Sequence, residues 1–181
     1  HFWVLWRKSK TMIYTPQILI YCEGMTDKYF VNAIKSAYGN DRRFSVRQGV
    51  GGSPINILSK CINVPGEFKK YCVIDGVPEL PVKAIELARE HNIVIVEVIP
   101  YLECVILNYL LDTDQYLSGE DKNNAKNDIL SLRGRMGYED LESMFISEVT
   151  TKKLREKAIR LGNFSLLIDI FEKYKNCYND N

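Results

Sequence analysis

Hydrophobic residues along the first two thirds of the chain follow two alternating patterns. Short, nearly continuous apolar runs are typical of strands that are buried on both faces of a sheet. Each run is followed by a segment in which apolar residues recur at helical spacing. The predicted strands are Ile18–Cys22, 44–50, 71–74 and 93–99.

Local signals mark where the intervening helices begin. Thr26 or Asp27 can cap the first helix, Ser53 caps the second with Pro54 at its first helical position, and Pro81 opens the third. A fourth, mostly apolar helix is predicted after Pro100. Alternating strands and helices predict βαβ units, and therefore an α/β fold with a parallel sheet of about four strands flanked by helices.

The pattern changes after residue 111. Residues 112–128 are polar and charged, which predicts a linker or loop leading into a helix, and helical periodicity then continues to a frayed tail at 176–181. The predicted organisation is an α/β domain over 17–111 and a helical C-terminal segment over 112–181 that packs on the same domain.

Composition narrows the function classes. The chain has 24 Lys and Arg and 23 Asp and Glu, which argues against a strongly basic, histone-like binder but allows a local basic groove. Four of the five cysteines lie in apolar runs and none forms a CxxC pair, so reduced core cysteines are expected and structural zinc is not. Residues 1–16 are interpreted as a leader or an expression remnant. Without a signal peptide or an apolar run long enough for a membrane span, we expect a cytoplasmic protein with no membrane partner.

Two carboxylates follow predicted strands directly. Glu23 comes after the first strand and Asp75 after the third. Ligands of parallel sheets bind beyond the carboxyl ends of the strands, so this pair predicts a divalent-metal site at one edge. The chain has only two histidines, which makes an acidic site the natural chemistry. The alternatives are a capping or loop glutamate and a plain turn aspartate.

Further candidates surround this pair. Glu103 lies in an apolar stretch where an unpaired charge is costly, so it is either a third metal ligand or a helix N-terminal glutamate favoured by the helix dipole. Glu79 is either a fourth ligand or a solvated loop residue. The glycine-rich connections are predicted to bind phosphate through Gly24, Gly51, Gly52 and Ser53. The alternative is that they are tight, well-capped turns.

Four short motifs, taken in their order along the chain, resemble the motifs of the TOPRIM superfamily. Within this superfamily they are most similar to those of the RloB-like proteins of prokaryotic accessory and phage-defence loci. Residues 22–30, CEGMTDKYF, resemble the family's strand-end glutamate segment, and residues 51–54, GGSP, its glycine-then-helix connection. Residues 73–76, VIDG, fall at its aspartate motif, and residues 100–107, PYLECVIL, resemble its proline-aromatic-x-Glu helix.

The resemblance implies a TOPRIM-like, Rossmann-type sheet and a Mg²⁺- or Mn²⁺-dependent nuclease that cleaves DNA or RNA in phage or mobile-element defence. It implies catalysis by Glu23 and Asp75, with Glu103 completing the acidic cluster, and an ATPase or a second copy of the chain as partner. The chain departs from the family's Asp-x-Asp motif, because Gly76 and Val77 follow Asp75. A catalytically weak or inactive subunit that binds nucleic acid or protein is therefore the alternative. A small-molecule nucleotide-binding domain that uses the Gly51–Gly52 loop is a third interpretation.

Overall fold

One parallel sheet forms the centre of the molecule. The computed structural model describes residues 17–118 and 122–176. The predicted leader over 1–16 and the tail residues 177–181, which include Cys177, lie outside the described residues. The strands are β1 (Ile18–Cys22), β2 (Phe44–Gln48), β3 (Lys69–Asp75) and β4 (Ile93–Val98). Their order in the sheet is β2-β1-β3-β4, which confirms the predicted four-stranded parallel sheet.

Helices connect the strands and continue after the sheet, as the periodicity predicts. Those between and directly after the strands are α1 (Met25–Ala37), α2 (Pro54–Ile62), α3 (Val82–Glu90) and α4 (Leu102–Leu111). The later ones are α5 (Lys122–Arg135), α6 (Leu141–Glu148), α7 (Thr151–Glu156) and α8 (Ser165–Asn176). Two 3-10 segments, Gln115–Ser118 and Ala158–Phe164, complete the described elements.

The sheet is covered on both faces, which explains the continuous apolar runs. Ile18, Ile20 and Cys22 of β1 face a core built with α1 and α4–α8. Leu19 and Tyr21 face a second core built with α2 and α3. Since successive side chains of a strand point to opposite faces, a strand inside such a double layer must be apolar at every position.

An aromatic cluster joins the α/β part to the C-terminal helices. The ring of Phe30 in α1 lies 5.8 Å from that of Tyr109, 5.4 Å from that of Phe145 and 5.7 Å from that of Phe164. These four side chains are almost completely buried. The C-terminal helices therefore share one hydrophobic core with α1 and α4.

Two local predictions are wrong. Residues 112–128 are not a continuous linker, because a 3-10 turn forms at Gln115–Ser118 and α5 already begins at Lys122. Ala125 and Ile129 are the buried positions of α5, and the partly buried Leu132 packs against the same core, which is enough to dock a helix whose other positions are mostly polar. The first helix begins at Met25, with Gly24 rather than a later residue at the N-cap.

The four cysteines within the described residues are buried and free, as predicted: Cys22, Cys61, Cys72 and Cys104. Across the same residues, no helix has the length and apolar character that crossing a bilayer requires.

Candidate metal centre

The strand order creates a crevice at the carboxyl edge of the sheet. From β1 the chain moves to β2 on one side, and from β2 it crosses to β3 on the other side of β1. Such a switch point is where open α/β sheets bind their ligands. In the register, Cys22 of β1 pairs with Gln48 and with Val73. Glu23 directly follows β1, and Asp75 is the last residue of β3.

One lysine brings the two predicted carboxylates together. The ammonium of Lys122, the first residue of α5, forms a short ion pair with Asp75 Oδ2 and lies 3.6 Å from Glu23 Oε1. The other carboxylate oxygen of Asp75 accepts a hydrogen bond from the Leu102 N–H at 3.0 Å, at the start of α4. A single ammonium therefore lies within ion-pair distance of both carboxylates.

Glu103 faces the same space from the first turn of α4. Its side chain is only 3% exposed, and its Oε1 lies 3.5 Å from the ammonium of Lys126. Its Oε2 is buried and has no hydrogen-bond partner among the described residues. Burial raises the pKa of Glu103 and outweighs the opposing effect of the Lys122 ammonium, while the nearby Asp75 carboxylate adds a smaller increase.

Asp27 is a fourth carboxyl group near the cluster. Its Oδ2 accepts a hydrogen bond from the Gly24 N–H at 2.9 Å, so the side chain reaches back over the start of α1. Burial, and then the charge of Glu103, raise the pKa of Asp27 to about 7. A predicted helix cap is thus a buried titratable group that interacts electrostatically with the candidate site.

The cluster contains more negative than positive groups. Four carboxyl groups, those of Glu23, Asp27, Asp75 and Glu103, share the ammonium groups of Lys122 and Lys126. Burial lowers the pKa of Lys122, but its hydrogen bond to Asp75 and the nearby carboxylates outweigh this effect and hold the pKa above its ordinary value. Protonation of Asp27, whose pKa is about 7, relieves part of the excess negative charge, and a bound divalent cation would relieve it as well.

Two adjoining cavities open onto the cluster. The larger, of about 230 Å³, has Glu23, Asp27, Glu103, Lys122 and Lys126 in its wall. The smaller, of about 130 Å³, is lined by Glu23, Asp75 and Lys122 together with less polar residues that include Tyr101. Glu23 and Lys122 face both cavities, so they stand where the two spaces meet.

The glycine-rich connections lie beside the cluster, but several of their polar groups are already used. Gly24 and Gly51 line the larger cavity and Gly52 lines the smaller one. The Gly24 N–H is bonded to Asp27, and the Gly51 N–H donates to the Glu23 carbonyl oxygen at 3.1 Å. The Ser53 hydroxyl caps α2 by accepting from the Asn56 N–H at 3.4 Å. The lysines therefore offer more direct phosphate contacts than these backbone groups do.

Glu79 stands apart from the other acidic candidates. It is exposed in the loop between β3 and α3. Its side chain forms no hydrogen bond or ion pair that links it to Glu23, Asp75 or Glu103 within the described part of the chain.

The donor set suits a hard cation, although the carboxylates are engaged by lysines. Within residues 17–118 and 122–176, no group of three or more His, Cys, Asp and Glu side chains is arranged to hold a metal ion. Asp75 is turned towards Lys122 and α4, and Glu103 towards Lys126. Carboxylate oxygens are nevertheless the ligands that Mg²⁺ prefers, and the unpartnered Oε2 of Glu103 leaves a buried acceptor free. The residues fit a divalent cation provided that Lys122 gives way.

Sequence patterns did not reveal Lys122, Lys126 or the role of Asp27. The two lysines are spaced by one helical turn, but they lie in a segment without clear periodicity, and Lys122 is 47 residues from Asp75 along the chain. The usable signal was the charge pattern, since lysines four residues apart on one helix project in the same direction. For Asp27 the signal was a carboxylate three residues after Gly24, the glycine at the start of α1.

Comparison with protein-family models, with curated proteins and with solved structures finds no match for this chain.

Proposed function

We propose that this chain is a Mg²⁺-dependent phosphodiester-cleaving nuclease of the TOPRIM type. The observation that supports this proposal best is the contact of the Lys122 ammonium with both Glu23 and Asp75 at the switch point of the sheet. Two strand-end carboxylates that share one cationic group form the kind of acidic site that Mg²⁺-dependent phosphodiester chemistry requires.

Each side chain of the cluster has a role in this proposal. Glu23 and Asp75 would hold the cation, and the free Oε2 of Glu103 would contribute to the same acidic environment. A bound Mg²⁺ would neutralise the scissile phosphate and lower the pKa of an attacking water. Glu23 lines both cavities, which places it where it can accept a proton from that water. Lys122 and Lys126 line the larger cavity and would contact the non-bridging phosphate oxygens.

The substrate and the partners follow from the same proposal. DNA or RNA would enter at the two cavities, with its phosphates near the lysines. A role in phage or mobile-element defence and an ATPase partner are part of the proposal through the family resemblance. A cytoplasmic location and self-association of the chain are proposed in addition.

Cleavage by matched variants tests this function. Wild type is incubated with Mg²⁺ or Mn²⁺ and with single- and double-stranded DNA and RNA, beside Glu23→Gln. We expect Glu23→Gln to reduce cleavage by at least about 100-fold, because it removes a charged ligand and base without changing the size of the side chain. Glu79→Gln is the matched control and should cleave like wild type, since Glu79 is exposed and lies outside the cluster. Equal cleavage by wild type and Glu23→Gln would contradict the proposal.

A second candidate function is a non-catalytic subunit that binds nucleic acid or protein. The favouring observation is that Lys122 already engages the two carboxylates, while Val77 stands where the family motif has its second aspartate. Val77 lines the smaller cavity with an apolar side chain that cannot bind a cation. This candidate predicts binding without turnover and normal binding by Glu23→Gln.

A further inference from the structure

The pairing of Lys122 with the carboxylates has a consequence beyond cleavage itself. We propose that Lys122 is a built-in counter-ion that competes with a divalent cation for Glu23 and Asp75 and binds a phosphate group once the cation displaces it. The inference rests on the cation-binding part of the proposed function, and it deepens that function by naming the residue that couples cation binding to phosphate binding.

Lys122 occupies the position that a cation would take. The Lys122 ammonium contacts the carboxylate oxygens of both Glu23 and Asp75, which are the oxygens that would ligate the cation. An ammonium and a divalent cation cannot both occupy the space between two carboxylates, because their positive charges repel at that distance. Cation binding therefore has to move the ammonium.

The displaced ammonium has open space beside it. Lys122 lines both cavities, and its ammonium lies 5.6 Å from the centre of the Tyr101 ring, so displacement leaves it beside open space. One helical turn further along α5, Lys126 is paired with Glu103 at 3.5 Å and half of its side chain is exposed. Two ammonium groups would then line the larger cavity, which is an arrangement suited to a phosphate group.

Displacement of the ammonium couples cation binding to phosphate binding. Without a cation, Lys122 is held by carboxylates and is a poor phosphate ligand. With a cation, the carboxylates are neutralised and the same ammonium becomes available. Cation and phosphate should therefore bind with positive cooperativity, and each should strengthen the binding of the other by the same factor.

Calorimetric titration of Ca²⁺ into wild type and Lys122→Met tests the competition without any turnover. We expect Lys122→Met to bind Ca²⁺ about tenfold or more tightly than wild type, because the internal competitor is gone. Lys152→Met is the control for loss of a lysine on an exposed helix surface, and it should bind Ca²⁺ like wild type. Equal or weaker Ca²⁺ binding by Lys122→Met would overturn the inference.

A measurement on the wild-type protein covers the case in which Lys122→Met does not fold. The rate at which an amine-reactive acetylating reagent modifies Lys122, followed by mass spectrometry, should rise severalfold when Ca²⁺ is added and fall again when the dinucleotide pTpT is added with Ca²⁺. A Lys122 rate that Ca²⁺ leaves unchanged or lowers would overturn the inference, as would a rate in Ca²⁺ that pTpT does not lower.

These results are distinguishable from failure of the nuclease proposal. If Lys122→Met binds Ca²⁺ more tightly but wild type cleaves no substrate, the counter-ion inference stands and the nuclease function does not. If wild type cleaves nucleic acid, Glu23→Gln does not, and Lys122→Met binds Ca²⁺ with wild-type affinity, the nuclease function stands and the counter-ion inference does not.

Discussion

Asp27 shows how a residue with an ordinary local role becomes part of the site's electrostatics. Its hydrogen bond with the Gly24 N–H is a helix-start contact. Yet the residue is only 7% exposed, and the negative charges of Glu103 and Asp75 lie near its carboxyl group, so its pKa rises to about 7. The native protein therefore keeps a proton that the unfolded chain releases near pH 4.

The pKa of Asp27 predicts a pH dependence of stability in the absence of divalent cations. A carboxyl group whose pKa is higher in the folded state stabilises the fold most at low pH, and this contribution is lost as the pH rises through about 7. Asp27→Asn keeps the size and one acceptor but does not titrate. Between pH 5 and 8, the free energy of unfolding of wild type should fall relative to that of Asp27→Asn by about 2–3 kcal/mol. Urea denaturation across this range measures the difference.

The control for this prediction is Asp169→Asn, since Asp169 is exposed in α8. Its free energy of unfolding should follow that of wild type at every pH. If Asp27→Asn also showed the wild-type pH dependence, the buried, proton-holding role of Asp27 would be refuted.

At the scale of elements, the strands and the first helices are predictable because burial on two faces leaves a strong local pattern. β1 is apolar at each position, and Ser53 with Pro54 marks the start of α2 as predicted. The placement of Glu23 and Asp75 at one sheet edge follows from the same reasoning, since parallel strands align their carboxyl ends. The lysines that pair with the carboxylates could not be predicted in this way, because their position depends on how the distant helix α5 docks.

The helix α5 is the clearest example of this limit. Only Ala125 and Ile129 are buried along it, so its sequence looks like that of a solvated linker. Tertiary packing, not local propensity, makes it a helix and brings Lys122 to the carboxylates.

Docking of α5 through one side chain can be tested by truncation. Ile129→Ala should lower the free energy of unfolding by about 2–4 kcal/mol, because it leaves a cavity where a fully buried side chain packs. Leu130→Ala, at a neighbouring position that is 47% exposed, should change it by less than about 1 kcal/mol. Chemical denaturation compares the two variants. Equal effects would show that α5 is not anchored by its buried stripe.

At the scale of the whole molecule, two parts of the chain build one site. The sheet supplies Glu23 and Asp75, α4 supplies Glu103, and α5 supplies the two lysines. The aromatic cluster around Phe30 packs α1 and α4 against the later helices. This packing helps to position α4, which carries Glu103. The acidic site is thus a product of the complete architecture, and the strand-end motifs supply only two of its members.

We propose that Glu23 and Asp75 share one divalent cation at the switch point of the sheet. Anomalous diffraction from a crystal soaked in Mn²⁺ tests it most directly, because the anomalous signal locates the ion without prior assumptions about its ligands. We expect a peak in direct coordination with oxygens of Glu23 and Asp75, and a Lys122 side chain that has left both carboxylates. A saturating soak that leaves Lys122 in place and shows no peak between these carboxylates would contradict it.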